Sequence, residues 1–155
     1  MAFADDRLTL WIISGVIGSI VRELFDFLVI WMGLPIIHIA FLAADLFTNN
    51  MNDAKSLIGI LTGIVTDWIM GAVIGVIIGL VLQWSGYRNY LLKGIGIGLM
   101  GWVAIFGFLV EGMPHVFMFK PTILNTFFAL VPHSIYAGIT AFCIIRFTKI
   151  KSREN

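Results

Sequence analysis

Five ionisable residues stand inside stretches that are otherwise apolar: Arg22, Glu23 and Asp26 in one, Asp67 in a second and His133 in a third. A charged side chain at bilayer depth costs about 3 kcal/mol on insertion scales, so each marks a candidate functional position. Carboxylates and an imidazole gathered at one depth are the parts needed to move or sense protons, or to bind a cation, since histidine titrates near neutral pH. A metal-holding version would use Glu23, Asp67 and His133 as oxygen and nitrogen ligands. Those ligands would come from three separate helices, and no HExxH or ExxH motif is present to carry the assignment. The same residues also have a structural reading. Arg22 would neutralise Glu23, Asp26 or Asp67, and His133 would bond Asn125 or a backbone carbonyl, in contacts that average about 0.6 kcal/mol in membrane proteins. His38 and Asp45, seven residues apart and so on one helical face, could lie above this group with His115 at an external mouth. Their alternative is an ordinary surface role.

The element that must position Asp67 is the apolar stretch 57–84. Every fourth position there reads Gly59, Gly63, Asp67, Gly71, Gly75, Gly79. Residues four apart share one inclined ridge of a helix, so this segment carries a ridge of bare backbone with a single carboxylate on it. Glycine costs about 1 kcal/mol against alanine in a water-exposed helix, and in lipid the compensating role is close approach of a neighbour. The ridge could face another helix of the chain or another protomer. The first apolar stretch carries two comparable rows, Ser14, Gly18, Arg22, Asp26 and Gly15, Ser19, Glu23, so that face should turn to protein. In the last stretch the row is Asn125, Ala129, His133, Ala137, Ala141, beside Pro132, which should kink or loosen the helix.

The chain has 155 residues, 59% of them apolar and only 12% charged, with a mean hydropathy of +0.98. Soluble domains average near 25% charged, so this is the composition of an all-α polytopic membrane protein. A barrel would need polar and apolar residues alternating at period two, which the sequence lacks. Four transmembrane helices are expected at about 8–32, 57–84, 90–112 and 121–147, forming one membrane domain, a glycine-rich bundle. Segment 35–47 is apolar but too short to span, the length of an interfacial or re-entrant piece. Residues 1–7 lack a positive n-region, so no cleavable signal is expected. Arg7, Arg88, Lys93, Arg146, Lys149, Lys151 and Arg153 fall on one side of that topology and only Lys55 and Lys120 on the other, which places both termini in the cytoplasm.

Several classes are disfavoured. Cys143 is the only cysteine, so no intramolecular disulfide or CxxC redox motif exists. No basic patch suits nucleic acid. Gly94, Gly96 and Gly98 superficially resemble a nucleotide fingerprint, but no strand precedes them and they lie in an apolar span, where packing is the plainer reading. No serine or cysteine nucleophile sits beside a base, so no catalytic residue and no cofactor is expected.

The pattern Asp67-Trp68, then Gly94 to Gly101, then Pro114 with Pro121, then His133 before Arg146, resembles small bacterial inner-membrane proteins of the YagU-like kind. The resemblance covers about half the chain. It implies an inner (plasma) membrane location and a loose tie to acid tolerance, with no active site to carry over. The Arg22-Glu23-Asp26 group falls outside it. Two functions fit the whole sequence: proton or cation handling through the buried acidic and histidine group, or a non-catalytic assembly subunit that packs through its glycine ridge. The expected surroundings are the lipid bilayer and a homo-oligomer or larger membrane complex.

Overall fold

The computed structural model describes residues 6–34, 38–48, 50–112 and 121–154. Among the described residues all regular structure is helical, with no strand. His115, Pro114 and Pro35, singled out from the sequence, lie outside the described residues.

Helix α1 (Arg7–Trp31) starts where the Asp6 side chain accepts from the Leu8 N–H, the usual way to satisfy a free helix N-terminus. Its inner face is small and charged: Ser14, Gly15, Gly18, Ser19, Arg22, Glu23 and Asp26 are buried. The opposite face is exposed and apolar, including Leu24, Phe27, Leu28 and Trp31. A short helix, α2 (Ile39–Asp45), and a single turn, α3 (Met51–Ala54), lead into α4 (Leu57–Ser85), which Ser56 caps through Gly59 N–H. At the far end of α4, Lys93 Nζ donates to the carbonyls of Ser85 and Gly86, at 2.9 and 2.7 Å. These bonds sit where a helix C-terminus leaves carbonyls unpaired. Asn89, in the left-handed region at φ 56°, turns the chain into α5 (Tyr90–Trp102).

The third expected span is not a uniform α-helix. After α5 the backbone widens into a π-helical stretch, Val103–Leu109, and closes with α6 (Val110–Gly112). The fourth is broken as well. Helix α7 (Ile123–Phe128), opened by a capping box between Thr122 and Asn125, stops at Ala129, and α8 runs Leu130–Glu154. Pro132 is the cause. It has no N–H to offer the Phe128 carbonyl and its ring crowds that turn, so the helix parts where the proline predicts. Trp102 Nε1 donates to the carbonyl of Thr126 at 2.9 Å, taking up an acceptor near that break.

Helix α1 packs between α4 and α8, α5 packs on α8, and α2 lies against α4. Among the described residues three helices are long and apolar enough to cross a membrane: Leu57–Ser85, Tyr90–Leu109 and Ile123–Thr148. Helix α1 is as long as a span, but Arg22, Glu23 and Asp26 set its composition apart.

The glycine ridge of α4 is filled from within the chain. A Cβ on Gly59 would run into backbone at Asp53 and Ala54, on Gly63 into Ala40, on Gly71 into Ser19, on Gly75 into Trp11 and Gly15, and on Gly79 into the Trp11 ring. Helices α5 and α8 meet in the same manner, Gly94 and Gly98 lying against Ala141 and Ala137. Close backbone approach of this kind is how small residues stabilise helix pairs in lipid.

Candidate functional site

Because the Gly71 and Gly75 face of α4 lets α1 come close, the residues one turn further along both helices are forced together. Arg22 Nη2 forms an ion pair with Asp67 Oδ2, both side chains almost wholly buried. Arg22 Nε also points at Asp26 Oδ2 from 4.0 Å, one helical turn away. Glu23 turns to the other side, where Oε2 accepts from Trp68 Nε1 at 3.2 Å. One guanidinium therefore stands among three carboxylates in a low-dielectric setting, where such charges interact strongly.

His133 comes to the same place from α8. Its Nδ1 lies 2.8 Å from the Ala129 carbonyl. A carbonyl only accepts, so Nδ1 carries the hydrogen and, in the neutral ring, Nε2 presents a lone pair. His133 is 5% exposed, and Nε2 has no partner among the described residues. Phe106, from the π-helical stretch, packs edge-on against the imidazole at 5.9 Å. One turn along, Tyr136 Oη donates to the Gly71 carbonyl at 2.9 Å and ties α8 to α4.

These groups border a cavity of about 120 Å³. Ser19 and Arg22 line it from α1, Asp67, Met70 and Ile74 from α4, Gly98 and Gly101 from α5, Ile105 from the π-helical stretch, and His133 and Tyr136 from α8. A Cβ on Gly101 would meet nothing within 4 Å, so open space lies beside it. By the ~30 Å³ that a water molecule occupies in the liquid, the space takes about four water-sized groups.

The residues picked from the sequence thus sort into three sets. Arg22, Asp67 and His133 share the cavity wall, with Asp26 attached through Arg22 and Glu23 through Trp68 on the far side. The metal version, Glu23 with Asp67 and His133, does not assemble: among the described residues no three His, Cys, Asp or Glu side chains converge as a metal site. Arg22 already occupies Asp67, which is the physical reason. His38 and Asp45 do not form a water-facing mouth. They are 4% and 1% exposed, with His38 packed against Phe27 and Phe41 and its Nδ1 accepting from the Ala40 N–H at 3.2 Å. Burial, with the Arg22 charge, holds His38 down to about 4, so it is neutral at physiological pH.

Tyr136, Ser19 and Trp68 were not among the residues picked for chemistry. The signals were present, since Tyr136 and Ser19 sit three positions from His133 and Arg22 on the same helical faces. Helical geometry could have found them; their interhelical partners could not be read from it.

The fold and this site define a polytopic helical membrane protein with a charged cluster buried inside it. No protein-family model, curated protein or solved structure matches the chain.

Proposed function

We propose that this is a small inner-membrane protein that passes or binds protons, or a small monovalent cation, through the Arg22, Glu23, Asp26, Asp67 and His133 group. In this reading α1 is a fourth transmembrane helix, its charges turned inward and its apolar face to lipid, and both termini are cytoplasmic. The observation that carries the proposal is the charge balance of the buried cluster: one guanidinium, Arg22, cannot neutralise three carboxylates. Within a membrane that imbalance is offset by protons or by a bound cation, which is the property a proton- or cation-handling site needs. The patterned resemblance of the second half of the chain to small inner-membrane proteins supports the location. The assembly-subunit reading draws less support, because the α4 ridge it would use is occupied by α1, α2 and α3 residues of the same chain.

Flux of protons and of monovalent cations into liposomes containing the purified protein, wild type beside Asp67→Asn, tests the proposal. Flux that the substitution abolishes while the protein stays folded supports it. Absence of flux from a correctly folded wild type removes it.

A further inference from the structure

We infer that the groove between the start of α5 and the end of α8 binds one anionic phospholipid, its phosphate on Arg146 and an acyl chain on Phe142 and Ile145. By helical rise the groove lies ~20 Å along α8 from His133, so the inference does not rest on the proton- or cation-handling role.

The groove follows from residue size. Helices α5 and α8 pack with Gly98 against Ala137 and Gly94 against Ala141, so closely that no methyl group fits on either glycine. One turn further out on the same two rows stand Tyr90 and Ile145, four residues beyond Gly94 and Ala141. Side chains of that bulk cannot mesh as glycine does with alanine, and a groove of about 340 Å³ opens there, lined by Tyr90, Phe142, Ile145 and Arg146. That volume lies at the lower end of the ~300–1,000 Å³ of ligand pockets.

The groove has one cation above an apolar floor. Phe142 stands one turn inward of Arg146 on the same row and is 52% exposed, beside the buried Ile145. Arg146 is exposed and has no ion pair or hydrogen bond among the described residues. Lys93, one turn along from Tyr90, is by contrast already committed to the Ser85 and Gly86 carbonyls.

Depth decides which ligand can meet both parts. Tyr90 opens the membrane-length helix Tyr90–Leu109, and Arg146 lies in the last turn of Ile123–Thr148. The groove therefore stands where hydrocarbon gives way to headgroups, a level that suits tyrosine and arginine. A guanidinium offers paired N–H donors that match phosphate oxygens, while Phe142 and Ile145 gain from contact with a hydrocarbon chain. A phospholipid brings both; a water-soluble phosphate brings only the first. The sequence adds a charge preference, since Lys149, Lys151 and Arg153 follow Arg146 with Glu154 as the one acidic residue among them. Such a basic end favours an anionic headgroup over a zwitterionic one.

The test is native mass spectrometry of the full-length protein in non-ionic detergent, titrated with dioleoyl phosphatidylglycerol or dioleoyl phosphatidylcholine. The first phosphatidylglycerol should bind about fivefold more tightly than phosphatidylcholine, the worth of one basic residue against anionic lipid. Arg146→Gln should abolish that preference, while Lys151→Gln, which removes the same charge from the tail, should preserve it. Phe142→Ala should weaken both lipids by a similar factor. Positions 142 and 146 are exposed, so helical content and melting of these variants should match wild type. Equal affinity for the two lipids, a preference that survives Arg146→Gln, or an equal loss in Lys151→Gln would each overturn the inference. So would lipid binding that Phe142→Ala leaves unchanged, or equal competition by glycerol 3-phosphate, which carries the phosphate without the chains.

Discussion

The two sides of α4 use small residues to opposite ends. Toward α1, Gly71 and Gly75 bring backbones together until no methyl group fits, and Asp67 on the same ridge is pressed against Arg22. Toward α5, the helices separate beyond their turn, and the glycine at 101 borders empty space instead of a neighbour. The same residue type closes one face and opens the other. What differs is the partner: α1 brings its own glycines and serines to meet α4, whereas past Gly98 the α5 chain widens into a π-helical stretch opposite the Pro132 break. π-Bulges are frequent at functional sites, and here the widened backbone stands beside the buried charges. A closed seam thus holds the charges in place, and an apolar-lined cleft lies beside them.

Substitutions can break that contrast from either side. The largest effect should come from the seam. Gly71→Leu would drive a side chain into Ser19 and the Gly15 backbone, and loss of the folded bundle is expected in detergent, read as loss of a monodisperse peak and of a cooperative melt. Next is the ion pair that the seam encloses. Arg22→Met leaves the Asp67 carboxylate buried without its partner, for which about 3–5 kcal/mol of destabilisation is expected. The double change Arg22→Met with Asp67→Leu should recover most of that, and a double-mutant cycle on unfolding in mixed micelles checks it. A double variant no more stable than Arg22→Met would mean that the pair is not what the seam protects.

A smaller effect belongs to His38. Its folded pKa of about 4 lies below the ordinary value near 6.5, so the unfolded chain binds the proton more readily. The stability contribution is complete above pH 6.5 and declines as pH falls toward 4, by at most about 1.4 kcal/mol per pH unit. His38→Asn keeps an acceptor for the Ala40 N–H, and its unfolding midpoint should vary less between pH 7 and 5 than that of wild type. The smallest effect on stability should be Gly101→Leu, within about 0.5 kcal/mol, because that side faces space. Equal damage from Gly71→Leu and Gly101→Leu would erase the distinction between seam and cleft.

Much of this architecture was legible in the residues. The apolar runs placed α1 and α4 within one or two positions of their ends, since burial of a long apolar helix leaves little freedom in where it stops. The every-fourth rows identified the packing faces, and Pro132 marked the broken turn before α8. Other features could not be read this way. Nothing in Val103–Leu109 distinguishes a π-helical stretch from an α-helix, because the choice depends on what the backbone must pack around. Whether the α4 ridge met its own chain or another was equally open, since a ridge of glycines fits either. His38 and Asp45 were placed at a mouth because their short segment looked interfacial, and α2 instead lies down on α4 at Gly63 and buries both.

The sequence by itself determined that this is a helical membrane protein and that charges stand on inward-facing helical rows. Periodicity and hydropathy are local properties, and both follow from the solvent a helix must face. Only the tertiary structure decided the pairings: Arg22 with Asp67, Glu23 with Trp68, Tyr136 with the Gly71 carbonyl, and a buried His133 nitrogen with no partner among the described residues. Pairing depends on the rotation and depth of each helix against the next, and those are set by which small residues let two backbones touch.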